Sequence, residues 1–188
     1  MIEIRPYRQT DHAFVRALFV RINRDLSPPH LRDAFEAYIA RSLEEEIDRI
    51  PAYYTERQGG FWVAEDQTAG IPPSIIGMFG LEQADPNAAE LRRMYVDPGT
   101  RRRGLARAML ARAEAEAVRL GCGCLVLSTS ELQGPALALY RSAGYRLVRE
   151  EVATGTGSNK TVGAGLKRFH FEKSLTDTAP GSSAEYRE

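Results

Sequence analysis

The sequence predicts an α/β fold: a mixed, mostly antiparallel central sheet of about six to seven strands with helices on both faces. Short apolar runs of β type follow one another across Gly, Pro and Asn turns in the first half of the chain. Amphipathic runs of helical period stand among them. A hydrophobic content of 43% in 188 residues suits one soluble domain with a sizeable core, expected over residues 1–175.

"MIEIRPY" reads as the first strand, and Thr10 or Asp11 caps a helix in which Phe14, Leu18 and Ile22 recur every four residues. After Ser27-Pro28-Pro29 an acid-rich amphipathic helix runs from Leu31 to about Ile50 and ends near Pro51. Gly59-Gly60 introduces the strand Phe61–Glu65, and a turn at Gly70 to Pro73 leads into the strand "SIIGMFGLEQ". Asp85-Pro86-Asn87 breaks that strand before "AELRRMYV" begins another. The next helix places Leu105, Met109, Ala113 and Ala117 on one side and stops at Gly121. "CLVLST" is a strand, "PALALYRS" a short helix with Pro135 in its first turn and Gly144 just past its end. "YRLVREEV" and "LKRFHFEKSL" close the sheet, joined through "GTGSNKT", which lacks the glycine before the lysine that a phosphate loop needs and reads as a flexible hairpin loop. Residues 176–188 are rich in Ser, Thr, Gly and acidic residues and read as a disordered tail.

Twenty-five Lys and Arg balance twenty-five Asp and Glu, so no global field favours nucleic acid or an anionic membrane, and neither is an expected partner. No apolar run approaches the roughly 20 residues of a membrane span, and "MIEIRPYRQTDH" lacks a signal core, which makes the expectation cytoplasmic. Cys122 and Cys124 read as thiols of a buried strand, and no metal site is expected. His12, His30 and His170 are scattered and read as structural or solvent-facing.

The stretch "LRRMYVDPGTRRRGLARAML" gathers arginines and small residues where a strand turns into a helix. A helix begins with backbone N–H groups that lack a partner and with partial positive charge. Gly104 and Ala106 keep side chains out of the way of a bound pyrophosphate, and Arg101, Arg102 and Arg103 add neutralising charge.

A strand, a Val-x-Pro turn, then Arg101-x-x-Gly104-x-Ala106 opening a helix resembles the first motif of the GNAT family of N-acetyltransferases. "QGPALALYRSAGYRLV" resembles its second, with Ala136, Leu139, Tyr140 and Gly144 in register. Gln133 stands where Asn is usual, and Tyr145 where Phe is common. The longer Gln133 puts in question the side-chain bond that the usual Asn makes to cofactor or strand.

The resemblance implies acetyl-CoA as co-substrate, without a metal, lying in a V-shaped gap between parallel strands at Leu91–Val96 and Leu125–Ser128. Its pyrophosphate would rest on the turn at Gly104, Leu105 and Ala106, and its pantetheine arm on the backbone edge near Met94 and Val96. The N–H of Tyr95 or Val96 would stabilise an oxyanion, and Gln133 would lie at the cofactor. Tyr140 would protonate the leaving thiol. Glu90, eleven residues before Arg101, would be the general base, with Glu82 or a water chain as alternatives. The implied activity is acetyl transfer to a primary amine of a small molecule or peptide by direct attack in a ternary complex. The alternative is a noncatalytic acyl-CoA-binding regulatory domain, and a nucleic-acid-binding arginine patch is the weaker third reading. Asp33, Glu36, Glu44, Glu45, Glu46, Asp48 and Glu56 crowd one segment, which suggests either a cationic acceptor or a solvated helix face. The sequence leaves a homodimer open.

Overall fold

The structure, a computed structural model, describes residues 1–68, 74–100 and 104–176. Its strands are β1 (Ile2–Pro6), β2 (Gly60–Asp66), β3 (Ser74–Asp85), β4 (Ala88–Val96), β5 (Cys124–Ser130), β6 (Arg146–Ala153) and β7 (Leu166–Ser174). Its helices are α1 (His12–Leu26), α2 (Arg32–Glu45), α3 (Ile50–Glu56), α4 (Leu105–Arg119) and α5 (Gly134–Ser142). The strands form one sheet in the order β1-β2-β3-β4-β5-β7-β6, antiparallel except for β4 with β5. The expected mixed sheet is therefore present, with β7 inserted between β5 and β6.

Alternation along β2 shows why both faces carry helices. Phe61 and Val63 pack with Phe19, Tyr38, Ile47 and Tyr54 under α1, α2 and α3. Trp62 and Ala64 pack the other way, with Met109, Ala113 and Tyr140 of α4 and α5. A strand covered on both sides has no polar face, which accounts for the unbroken apolar run at Phe61–Ala64.

Three local expectations are corrected. Phe14 is 41% exposed, and the buried stripe of α1 is Val15, Leu18, Phe19 and Ile22, because a 3.6-residue period drifts off a strict spacing of four. Asp11 does not cap α1: its carboxylate accepts two bonds from Arg5, at 2.8 and 2.9 Å, and one from the Arg8 N–H. The long second helix divides at Glu46, which leaves helical geometry at φ −134° and has its side chain buried, and Pro51 lies in the first turn of α3 instead of ending a helix. The turn Gly70–Pro73, Arg101 to Arg103 and the tail from 177 lie outside the described residues.

A bulge in β4 shapes the centre of the sheet. Arg92 faces Gly80 and Tyr95 faces Met78, so Arg93 and Met94 together oppose Phe79. Arg93 has φ +52°, a left-handed conformation that costs a non-glycine residue on the order of 1–3 kcal/mol. The bulge sends two successive guanidiniums, Arg92 and Arg93, to the same buried carboxylate, Glu46.

Candidate active site

β4 and β5 pair only between Ala88–Leu91 and Cys124–Leu127, although β4 continues to Val96 and β5 to Ser130. Beyond Leu91 the strands part. The cavity at this gap is lined by Met94 and Tyr95, Ser128 and Thr129, and Gln133 and Tyr140. The N–H of Asp97 donates to the Ile76 carbonyl of β3 at 2.8 Å. Since successive N–H groups of a strand point to opposite edges, that of Tyr95 also faces β3, and that of Val96 faces the gap.

At the exit of β4, Gly104 precedes α4 with φ +71°, and among the described residues no atom lies within 4 Å of where a Cβ would stand. The first turn of α4 holds no acidic residue and no side-chain cap. Among the described residues its leading N–H groups have no side-chain partner, which suits an anion.

Tyr140, 6% exposed, packs edge-on against Tyr145 and beside Phe171 at the α5 side of the gap. Burial pushes its hydroxyl well above the ordinary phenol range, so it keeps its proton. Gln133 accepts a 2.6 Å hydrogen bond from Thr129 Oγ1 and thereby ties the start of α5 to β5.

The opposite face of the cavity is polar. Glu46, fully buried, accepts bonds from Arg92 at 2.6 Å, Arg93 at 3.0 and 2.8 Å, and Tyr54 at 2.6 Å. Burial would raise its pKa, but the two guanidiniums outweigh that and hold it down to about 2. Glu82 is also buried, yet Arg92, Lys160 and Tyr53 hold its carboxyl below the usual range. Lys160 Nζ donates to Glu82 Oε1 and Glu90 Oε2, both at 2.6 Å. Arg168 donates to the Lys160 carbonyl at 2.6 Å and to the Ser128 hydroxyl.

The loop carrying Lys160 is compact. A Cβ on Gly163, at φ +76°, would stand 2.6 Å from both Gly155 O and Gly157 N, so only glycine allows this approach. Arg41 and Arg93 donate to the Thr156 and Asn159 carbonyls and hold the loop over the cavity.

A sequence model described as the acetyltransferase (GNAT) family matches residues 22–145. The chain belongs to that family. It is 34% identical over 121 residues to N-acetylaspartate synthetase of Danio rerio, a match covering 63% of this chain and 41% of that relative. An acetyltransferase of the GNAT family from Staphylococcus aureus Mu50 has the same fold, with a TM-score of 0.70 at 19% identity, over 93% of this chain and 99% of that one. So does yncA of Salmonella typhimurium, solved with its cofactor acetyl-CoA, with a TM-score of 0.65 at 18% identity over 97% and 99% of the two chains.

Within this GNAT fold the residues expected from the motifs fall into several places. Met94, Tyr140 and Gln133 meet at the gap, with the Val96 N–H directed toward it. The Tyr95 ring turns to the other face, edge-on to Phe19, with its hydroxyl near Asn23 and Tyr38. The Leu105 side chain belongs to the core, which leaves only its backbone for a ligand, while Ala106 is half-buried at the helix start. Arg101, Arg102 and Arg103 lie outside the described residues. Glu90 lines the cavity but is ion-paired with Lys160.

The acidic segment divides: Glu46 is interior, Glu36, Asp48 and Glu56 pair with Arg24, Arg16 and Arg49, and Asp33, Glu44 and Glu45 are exposed. Cys122 is buried in the core, Cys124 is half-buried, and both are free thiols. Among the described residues no acidic, Cys or His cluster is placed to hold a metal, and no helix is long and apolar enough to cross a membrane.

Sequence reasoning missed Lys160 and Arg168. Lys160 has no motif signal. Arg168 and His170 alternate with Phe169 and Phe171, a period of two that already separates a polar face of β7 from its core face.

Proposed function

We propose that this chain is an acetyl-CoA-dependent N-acetyltransferase that acetylates a primary amine of a small molecule or peptide by direct attack in a ternary complex. The observation that carries the reading is the parting of β4 from β5 with the protonated Tyr140 hydroxyl buried beside it. Acetyl-CoA fits the residues present: the uncapped start of α4 offers N–H groups to a pyrophosphate, and the open space at Gly104 lets it approach. Leu105 and Ala106 would contribute their backbone there, with Arg101, Arg102 and Arg103 as neutralising charge by the family resemblance. The β5-facing edge of β4, through Met94 and Val96, would take the pantetheine arm.

When bound, acetyl-CoA supplies the thioester and a thiolate leaving group. The Val96 N–H is the proposed donor to the negative charge that develops on the carbonyl oxygen. Tyr140 would give its proton to the leaving sulfur. Glu90 is the proposed base for the acceptor ammonium. Lys160 occupies its Oε2, so taking a proton on that oxygen requires the Lys160 ammonium to withdraw.

The same ion pair favours the second reading, a noncatalytic acyl-CoA-binding domain, since it leaves Glu90 engaged. Thiol release from acetyl-CoA, screened over amino acids, polyamines, aminoglycosides and peptide N-termini, separates the two. Release with any of these amines supports the enzyme. Calorimetric acetyl-CoA binding without release from any of them supports the alternative.

A further inference from the structure

We infer that Arg168 binds a carboxylate on the acceptor, so that the amine acetylated belongs to an amino acid and not to a simple alkylamine; this rests on the acetyltransferase reading above. Among the charged side chains that line the cavity or pair with its lining, the others are matched, while Arg41, likewise without an ion pair to a described carboxylate, lies outside the lining and donates to the loop above. Arg92 and Arg93 meet Glu46, and Lys160 meets Glu82 and Glu90. Glu151 meets Arg149 and His170, each at 2.8 Å.

Arg168 has no ion pair with a described carboxylate. It donates only to the Lys160 carbonyl and the Ser128 hydroxyl, and its Nε is buried without a partner. Glu151 stands opposite it in the sheet and Glu90 lies near, but both carboxylates are engaged by other cations. A partly desolvated guanidinium whose hydrogen bonds go only to neutral acceptors is poorly compensated, and an incoming anion is the group that compensates it. The edge formed by Nε and the neighbouring NH2 is the geometry that carboxylates match with two parallel hydrogen bonds.

Position fixes what the anion belongs to. Leu127 points into the core beneath α4 and α5, so the next residue, Ser128, points to the opposite face. Ser128 is also the first β5 residue beyond the pairing with β4. A carboxylate on Arg168 therefore stands at the mouth of the gap, across the sheet from Tyr140. An amine on the same molecule then lies between the guanidinium and the thioester, beside Glu90.

The test uses matched pairs with the full chain and acetyl-CoA: L-phenylalanine with phenethylamine, L-leucine with isoamylamine, and L-lysine with cadaverine. Thiol release should give the carboxylated member the higher kcat/KM in the pairs that turn over. Arg168→Gln should raise the KM of that member at least about 30-fold, the loss expected when one partner of a buried charge pair is removed. Its amine partner and the acetyl-CoA affinity should be unaffected, and Arg168→Lys should restore part of the loss. Equal kcat/KM within pairs, or equal loss for both members in Arg168→Gln, would overturn the assignment. So would a loss of acetyl-CoA affinity, which would make the anion a cofactor phosphate.

If no amine releases thiol, the acetyltransferase reading fails separately. Calorimetric titration of the CoA-loaded chain with the same pairs then decides the Arg168 assignment. Binding of the carboxylated member alone, lost in Arg168→Gln and partly regained in Arg168→Lys, upholds it; no such preference overturns it.

Discussion

Replacing Glu46 by Gln should destabilise the fold from the centre of the sheet. The carboxylate is fully buried and touches Arg92, Arg93 and Tyr54. Held down to about 2 from an ordinary value near 4.5, it contributes about 3 kcal/mol at neutral pH. Gln keeps the shape but removes the charge. Arg93 is then left with the Tyr38 hydroxyl and the Asn159 carbonyl, and Arg92 with Glu82 at 3.5 Å. Breaking a buried pair on one side costs about 3–5 kcal/mol, which for a chain of this size lowers Tm by about 6–20 °C.

The pH dependence has a definite sign. A carboxyl with a depressed folded pKa stabilises fully above its unfolded value and loses that contribution as pH falls through the folded one. Urea titrations should therefore show a constant gap between wild type and Glu46→Gln above about pH 5, closing from about pH 4.5 toward 2. Glu45→Gln, exposed on the neighbouring turn, should stay within about 0.5 kcal/mol of wild type. A Glu46→Gln variant within about 1 kcal/mol of wild type at pH 7, or a gap unchanged at pH 3, would refute the reasoning.

Tyr140→Phe should lower turnover by about 10²-fold or more with acetyl-CoA affinity unchanged, and the loss should shrink at high pH, where the thiolate leaves unaided; wild-type turnover at pH 7 would remove the hydroxyl from the mechanism. Gly104→Asp should abolish acetyl-CoA binding in calorimetry while the circular-dichroism melt stays cooperative, because Asp tolerates φ +71° and meets no atom of the described residues there, but opposes a phosphate in charge and space. Gly163→Ala should displace the loop that holds Lys160, because its new Cβ meets backbone at 2.6 Å, and so change the acceptor KM without altering acetyl-CoA affinity; an unchanged KM would show that the loop does not touch the acceptor.

Much of the fold was legible because its determinants are local. The turn at Asp85-Pro86-Asn87, Pro135 in the first turn of α5 and the stripe Leu105, Met109, Ala113 and Ala117 each act within a few residues, and each sits where the pattern placed it. The break between α2 and α3 was not legible, because its cause is Glu46 turning toward arginines 46 and 47 positions away. The insertion of β7 between β5 and β6 has no local signal either, since hydrophobic alternation fixes which face a residue takes but not which strand it meets.

The arginines of the β4–α4 junction show where the same limit falls in the site. By residue type alone, Arg92 and Arg93 stand beside the arginines after the Asp97-Pro98-Gly99 turn as one basic patch for phosphates. The bulge at Arg93 separates them, because it turns both earlier guanidiniums inward onto Glu46. Electrostatic role is thus set by long-range partners that sequence spacing does not report. The position of Tyr140 at the gap was predictable because it depends on a local helix motif. Arg168 was not, because what sets it apart is that no described carboxylate forms an ion pair with it although Glu151 stands opposite it in the sheet, a property that exists only once Glu90 and Glu151 have each been given another partner by the fold.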